Sequence, residues 1–127
     1  MLVNASAHAT IPATDIDRAR RFYEERLGFE PSTVMAGGVL YGAGAATEFL
    51  VFPSAGRASG DHTQLGFTVA DLDAEVAELK ARGVGFESYD MPGFDPATSI
   101  ATFESTRSAW FKDSEGNLIG LVQLTPG

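Results

Sequence analysis

The feature that most constrains this chain is that its pattern occurs twice. A strand pattern at 7–13 leads into Thr14 and Asp15. A stretch follows with Ile16, Ala19, Phe22, Tyr23 and Leu27 at helical spacing, and Gly28 closes it. The same succession returns as a strand pattern at 64–69, Asp71, the apolar stripe Leu72, Val76 and Leu79, and then Gly83. His8 and Gln64 lie 56 residues apart, as do Asp15 and Asp71, and Gly28 and Gly83 lie 55 apart. A period of that length means one supersecondary unit used twice. In each copy an acid stands where a helix needs its first N–H groups satisfied, and a glycine stands where it must stop.

Three strand patterns follow each helix. The first set is at 30–35, 38–41 and 47–52. The second is at 85–89, 100–103, and 110–111 continuing into 118–124 across a turn at 113–117. The expectation is an α+β chain forming one domain, 1–127, from two βαβββ modules at 5–53 and 62–125. Residues 53–62 read as the linker. Residues 90–98 contain Pro92, Gly93, Phe94 and Pro96 and read as a loop, because proline removes a ladder donor and restrains its neighbour.

Composition removes several functions. There is no cysteine, which excludes disulfides, thiolate metal sites and cysteine nucleophiles. The net charge is −8, so phosphate backbones and anionic lipid are repelled and no nucleic-acid partner is expected. No apolar run is long enough to span a membrane, and residues 1–8 lack the basic and apolar regions of a secretion signal; the expected location is cytoplasmic. No nucleophile-elbow pattern flanks either histidine, the glycine pairs lack a phosphate-loop lysine, and no paired carboxylates suit glycoside hydrolysis.

The run from His8 through Ile11, Pro12, Asp15, Phe22, Tyr23 and Leu27 to Gly28-Phe29 resembles the opening of the vicinal oxygen chelate superfamily, which includes glyoxalase I, extradiol dioxygenases and bleomycin-binding proteins. Phe67-Thr-Val69-Ala-Asp71-Leu72-Asp73 resembles the start of its second module, and Phe111-Lys-Asp113-Ser-Glu115-Gly116-Asn117 its final hairpin. The resemblance implies two βαβββ modules paired into an open, cupped mixed sheet around a cavity, and a homodimer. It also implies where metal-dependent members place their ligands, on the first and last strands of each module. His8, Leu50, Gln64 and Gly120 match those positions. A catalytic divalent ion needs imidazole and carboxylate donors, and only His8 is one of these. The expected cofactor is therefore none. An alternative stays open: a two-residue slip keeps the same strand face and gives His8, Glu48 and His62, which would hold a divalent metal ion for lyase, isomerase or dioxygenase chemistry.

Under that resemblance the residues facing the cup are mostly apolar, as in small-molecule pockets. The candidate ligand-binding set is His8, Thr10, Tyr41, Leu50, Phe52, Gln64, Phe94, Trp110 and Gly120. His8 is the candidate acid or base, Gln64 orients a polar group, Tyr41 and Trp110 stack on a ring, and Gly120 either makes room for a ligand or permits close packing. Three functions stay open: a metal-independent binder of a small organic molecule, an enzyme using His8 or the slipped metal set, and a dimeric scaffold without catalysis.

Overall fold

The computed structural model describes residues 1–44, 46–56, 58 and 60–124. The chain divides into two compact units, Met1–Arg57 and Ala58–Gly127. Each is an α+β layer of one mixed sheet with a helix on one face.

In the first unit, strand β1 (Ala9–Ala13) is followed by helix α1 (Ile16–Arg21), which continues as a π-helical turn over Phe22–Arg26. Strands β2 (Pro31–Met35), β3 (Gly38–Ala43) and β4 (Thr47–Pro53) complete it. The sheet order is β1-β4-β3-β2, with β1 parallel to β4 and the other pairs antiparallel. Alternation decides the two faces. Ile11, Val39, Tyr41, Phe49 and Val51 are buried, together with Ala19 and Tyr23 of the helical layer. Thr10, Leu40, Leu50 and Phe52 occupy the opposite face and retain exposure.

The aromatic rings make the core of this unit specific. Tyr23 stacks on Tyr41 with centroids 5.7 Å apart and tilts against Phe49 at 5.6 Å. Asp15 caps α1 by accepting from the Arg18 N–H at 3.0 Å. The regular helix expected to reach Leu27 instead widens, with the Leu27 N–H donating to the Phe22 carbonyl five residues back. Gly28 ends it at φ +81°, a conformation costly for any residue with a side chain.

The second unit repeats this order with one addition. Strand β5 (Thr63–Thr68) precedes helix α2 (Leu72–Ala81), then β6 (Phe94–Asp95), β7 (Ile100–Phe103), β8 (Thr106–Lys112) and β9 (Leu118–Leu124). The order is β5-β9-β8-β7-β6, with β5 parallel to β9. Asp71 caps α2 by accepting from the Ala74 N–H at 3.1 Å, and Leu72, Val76 and Leu79 bury the expected stripe. The Gln123 side-chain oxygen accepts from the Leu72 N–H at 2.7 Å and ties the helix start to β9. Before β9, the Asp113 carboxylate accepts from the N–H groups of Glu115 and Asn117 and from the Asn117 amide, which fixes the predicted turn.

Three expectations change in this unit. Strand β8 begins at Thr106, four residues before the 110–111 read from the sequence, and pairs with β9 along its whole length. Residues 85–89 do not form a strand. One bridge joins Phe86 to Phe111, and the Glu87 N–H donates to the Trp110 carbonyl at 2.8 Å. The segment has to send Phe86 against the buried Phe111 and Tyr89 against Trp110. The predicted loop at 90–98 contains a short strand, Phe94–Asp95, paired with β7. It lies between the two prolines, so neither missing donor interrupts its pairing.

Candidate aromatic surface and hollow

Strand register builds the central feature of the second unit. Trp110 of β8 lies opposite Gly120 of β9, and Gly120 lies opposite Gly66 of β5. Paired residues share a sheet face, so the row reads indole, bare backbone, bare backbone. A Cβ at Gly120 would sit 3.1 Å from Thr63 Cγ2 and 3.4 Å from Trp110 Cδ1 and Nε1. The indole and the threonine methyl thus already close over Gly120, so the glycine seats Trp110 rather than holding a vacant space. Gly66 is exposed, and a Cβ there would meet only the Gly120 carbonyl, at 4.0 Å.

The indole is held from the side as well. Tyr89 meets it edge-on at 5.3 Å and 89°, and Phe94 meets Tyr89 edge-on at 6.1 Å and 85°. Edge-to-face pairs of this kind fix ring orientation. Trp110 and Phe94 are half-buried and Tyr89 is 36 % exposed, so the group presents ring surface outward. Burial raises the Tyr89 hydroxyl pKa, and Glu87 raises it further. Lys112, two residues along β8, lies 3.5 Å from Asp61 and 3.8 Å from Glu87.

Gln64 does not take the place that alternation assigned it. Thr63 pairs with Leu118 and Leu65 with Ile119, so Gln64 is the extra residue of a β-bulge. The bulge puts Thr63, which the sequence reading passed over, beside Gly120. Tyr89 was missed for a related reason: it falls in the segment read as a strand, and its role appears only when that segment bends.

The first unit carries a separate hollow of about 330 Å³, lined by Ser6, Ala7, His8, Met35, Leu40, Ala46, Glu48 and Leu50. It brings together His8, Glu48 and Leu50 of the predicted residues. Ser32, the extra residue of a bulge in β2, donates its hydroxyl to Glu48 at 3.2 Å or to the Leu40 carbonyl at 3.1 Å. Thr10 and Phe52 share this sheet face without lining the hollow.

Tyr41 requires correction. Its ring is wholly buried on the helix-facing side, where its hydroxyl donates to Glu24 at 2.9 Å. Glu24 also accepts from Arg20 Nε at 2.8 Å. Tyr41 pairs with Phe49 in the register, one residue out of phase with Leu50, and so cannot face a ligand beside Leu50. Burial, with Glu24 beside it, raises the Tyr41 pKa strongly, while the Arg20 hydrogen bond lowers that of Glu24.

Within the first unit the hollow holds two members of the alternative metal set, His8 and Glu48. Among the described residues no group of three or more His, Cys, Asp or Glu is placed to hold a metal ion. The positions where the superfamily places ligands do not fit one either, since leucine and glycine side chains donate nothing. No helix among the described residues is long and apolar enough to cross a membrane.

TnmS3, an antibiotic binding protein from Streptomyces sp. CB03234, is 26 % identical with a TM-score of 0.62, covering 95 % of this chain and 98 % of that one. Two further structures show the fold. A glyoxalase/bleomycin resistance protein/dioxygenase from Alicyclobacillus acidocaldarius is 21 % identical, with TM-score 0.71 and coverage of 97 % and 93 %. Lactoylglutathione lyase from Agrobacterium tumefaciens is 23 % identical, with TM-score 0.62 and coverage of 94 % and 93 %. No curated protein matches the chain. The family model matches residues 5–121, and the chain belongs to the Glyoxalase/Bleomycin resistance protein/Dioxygenase superfamily.

Proposed function

We propose that this protein binds a small organic molecule with a flat aromatic or heteroaromatic part, without a metal ion. The observation that carries the reading is the half-buried indole of Trp110, seated on Gly120 and braced by Tyr89 and Phe94. A ring held in place before binding loses little freedom on contact, so more of the contact energy becomes affinity. Apolar cover contributes roughly 25 cal/mol per Å² removed from water. Polar groups near by, including Thr63 and Gln64, would orient the ligand, because a buried polar group without a partner costs about 1–3 kcal/mol. The likeness to TnmS3, an antibiotic binding protein, supports a sequestering role. Protein-observed NMR against a panel of small aromatic compounds tests this. Ligand-dependent shifts should centre on Gly66, Thr63, Tyr89 and Trp110. Shifts confined elsewhere, or none with any compound, would set the reading aside.

A second reading has its own observation: His8 and Glu48, an imidazole and a carboxylate, line one hollow with Leu40 and Leu50. Imidazole exchanges protons near neutral pH, so His8 would act as acid or base on a substrate held there. His8→Asn separates the two. A binder loses affinity modestly, whereas an acid–base enzyme loses turnover far more than binding.

A further inference from the structure

Resting on the reading of Trp110 as the ring-binding surface, we infer that the ligand is long as well as flat. Its ring lies on Trp110, and an uncharged apolar extension runs along the open face of the second unit's sheet to Phe103 and Leu124. These two side chains are 70 % and 64 % exposed. Register brings them into one row, because Phe103 pairs with Thr106 and Thr106 with Leu124. Residues an even number apart on a strand share a face, so this row lies on the same face as Trp110, four residues from Thr106 along β8. At the rise of a strand the two rows are about 13 Å apart.

The floor between the two ends is low and uncharged. Its middle row is Ala101, Ser108, Val122 and Thr68, paired in that order across β7, β8, β9 and β5. Beside Trp110 the floor is the bare backbone of Gly120 and Gly66. None of these residues carries a charge, and Arg107 of β8 points the other way, to Asp73 of α2 at 2.7 Å. A charged group laid on this strip would give up water without gaining a counter-charge, which a neutral chain avoids. Area decides between a small molecule and a protein. Four strands at about 4.8 Å spacing and a length of about 13 Å make a strip of about 200 Å². A stable protein interface needs about 800 Å² from each partner. A ring with an extended chain covers the strip from end to end.

The ethyl, butyl, hexyl and octyl esters of 4-hydroxybenzoic acid test this, because one neutral ring carries a chain of rising length. Affinities are read from amide-shift titrations of the whole protein. A fully buried methylene is worth about fourfold in affinity and one lying on an open face part of that, so the octyl ester should bind about tenfold or more tighter than the ethyl ester. The amides of Phe103 and Leu124 should shift with the longer esters and not with the ethyl ester. Phe103→Ser combined with Leu124→Ser, both at exposed positions, should reduce the gain from ethyl to octyl to about threefold or less. Equal affinity along the series, or a gain with length that survives in the double variant, would overturn the extension and leave the ring-binding reading standing. Failure of every ester to shift Trp110 would remove both.

Discussion

At the scale of single residues, Gly120 and Tyr41 decide most. A side chain at Gly120 must displace either the Thr63 methyl or the Trp110 ring. Gly120→Ala should therefore cost about 1–3 kcal/mol through overpacking and shift the tryptophan emission. Thr63→Ser removes the crowding methyl, so the double variant should recover much of that loss in urea denaturation; strictly additive losses would show that the two residues do not share the space. Tyr41 and Glu24 give a pH prediction. The Arg20 hydrogen bond holds the folded Glu24 pKa below its ordinary 4.5. The stabilisation is thus complete above that pH and fades as pH falls through the folded value. Urea midpoints of wild type and Glu24→Gln should converge below pH 4.5, and parallel profiles would remove the linkage. Alternation holds around Leu50, which pairs with Thr10, and around Trp110, which pairs with Gly120. Tyr41 was chosen as an aromatic without fixing its phase against Leu50, and the phase puts it in the core.

At the scale of elements, the helices were the most legible. Each begins at an aspartate whose carboxylate accepts the N–H three residues on, at Arg18 and at Ala74. Asp15→Ala and Asp71→Ala should each cost about 0.5–2 kcal/mol, measured as urea midpoints. No change in either variant would mean that packing alone sets the helix starts. The strands of the first unit were found to within two residues at each end, whereas β8 was read only at 110–111 and spans Thr106–Lys112. What failed were departures from period two. The bulge at Gln64 moves Thr63 into the place a repeat count assigns to its neighbour, and a bulge leaves little mark in the composition of a strand. The segment 85–89 has strand-like residues, but Phe86 and Tyr89 each have a separate aromatic partner in β8, and meeting both prevents a continuous ladder. The π-helical turn at Phe22–Arg26 follows an ordinary helical stripe and had no sequence signature either.

At the scale of the whole molecule, the repeat announced the architecture, and the departures from it shape the two candidate surfaces. The two units use the same strand order around β4 and β9, yet one carries a hollow with an imidazole and a carboxylate and the other a braced aromatic surface. The resemblance puts Leu50, Gln64 and Gly120 where metal-dependent members place ligands; the register shows that Gly120 seats Trp110. The central claim is that this seated ring contacts a flat ligand. Trp110 is the chain's one tryptophan, so its emission reports on that surface alone. The decisive measurement is a titration of that emission with the aromatic compounds that shift Gly66 in NMR, on wild type and on Gly66→Leu, whose new side chain would cover the open floor beside Gly120. The account predicts a saturable change in wild type that is lost in Gly66→Leu while the thermal midpoint stays close to that of wild type. An identical titration in the two proteins would contradict it.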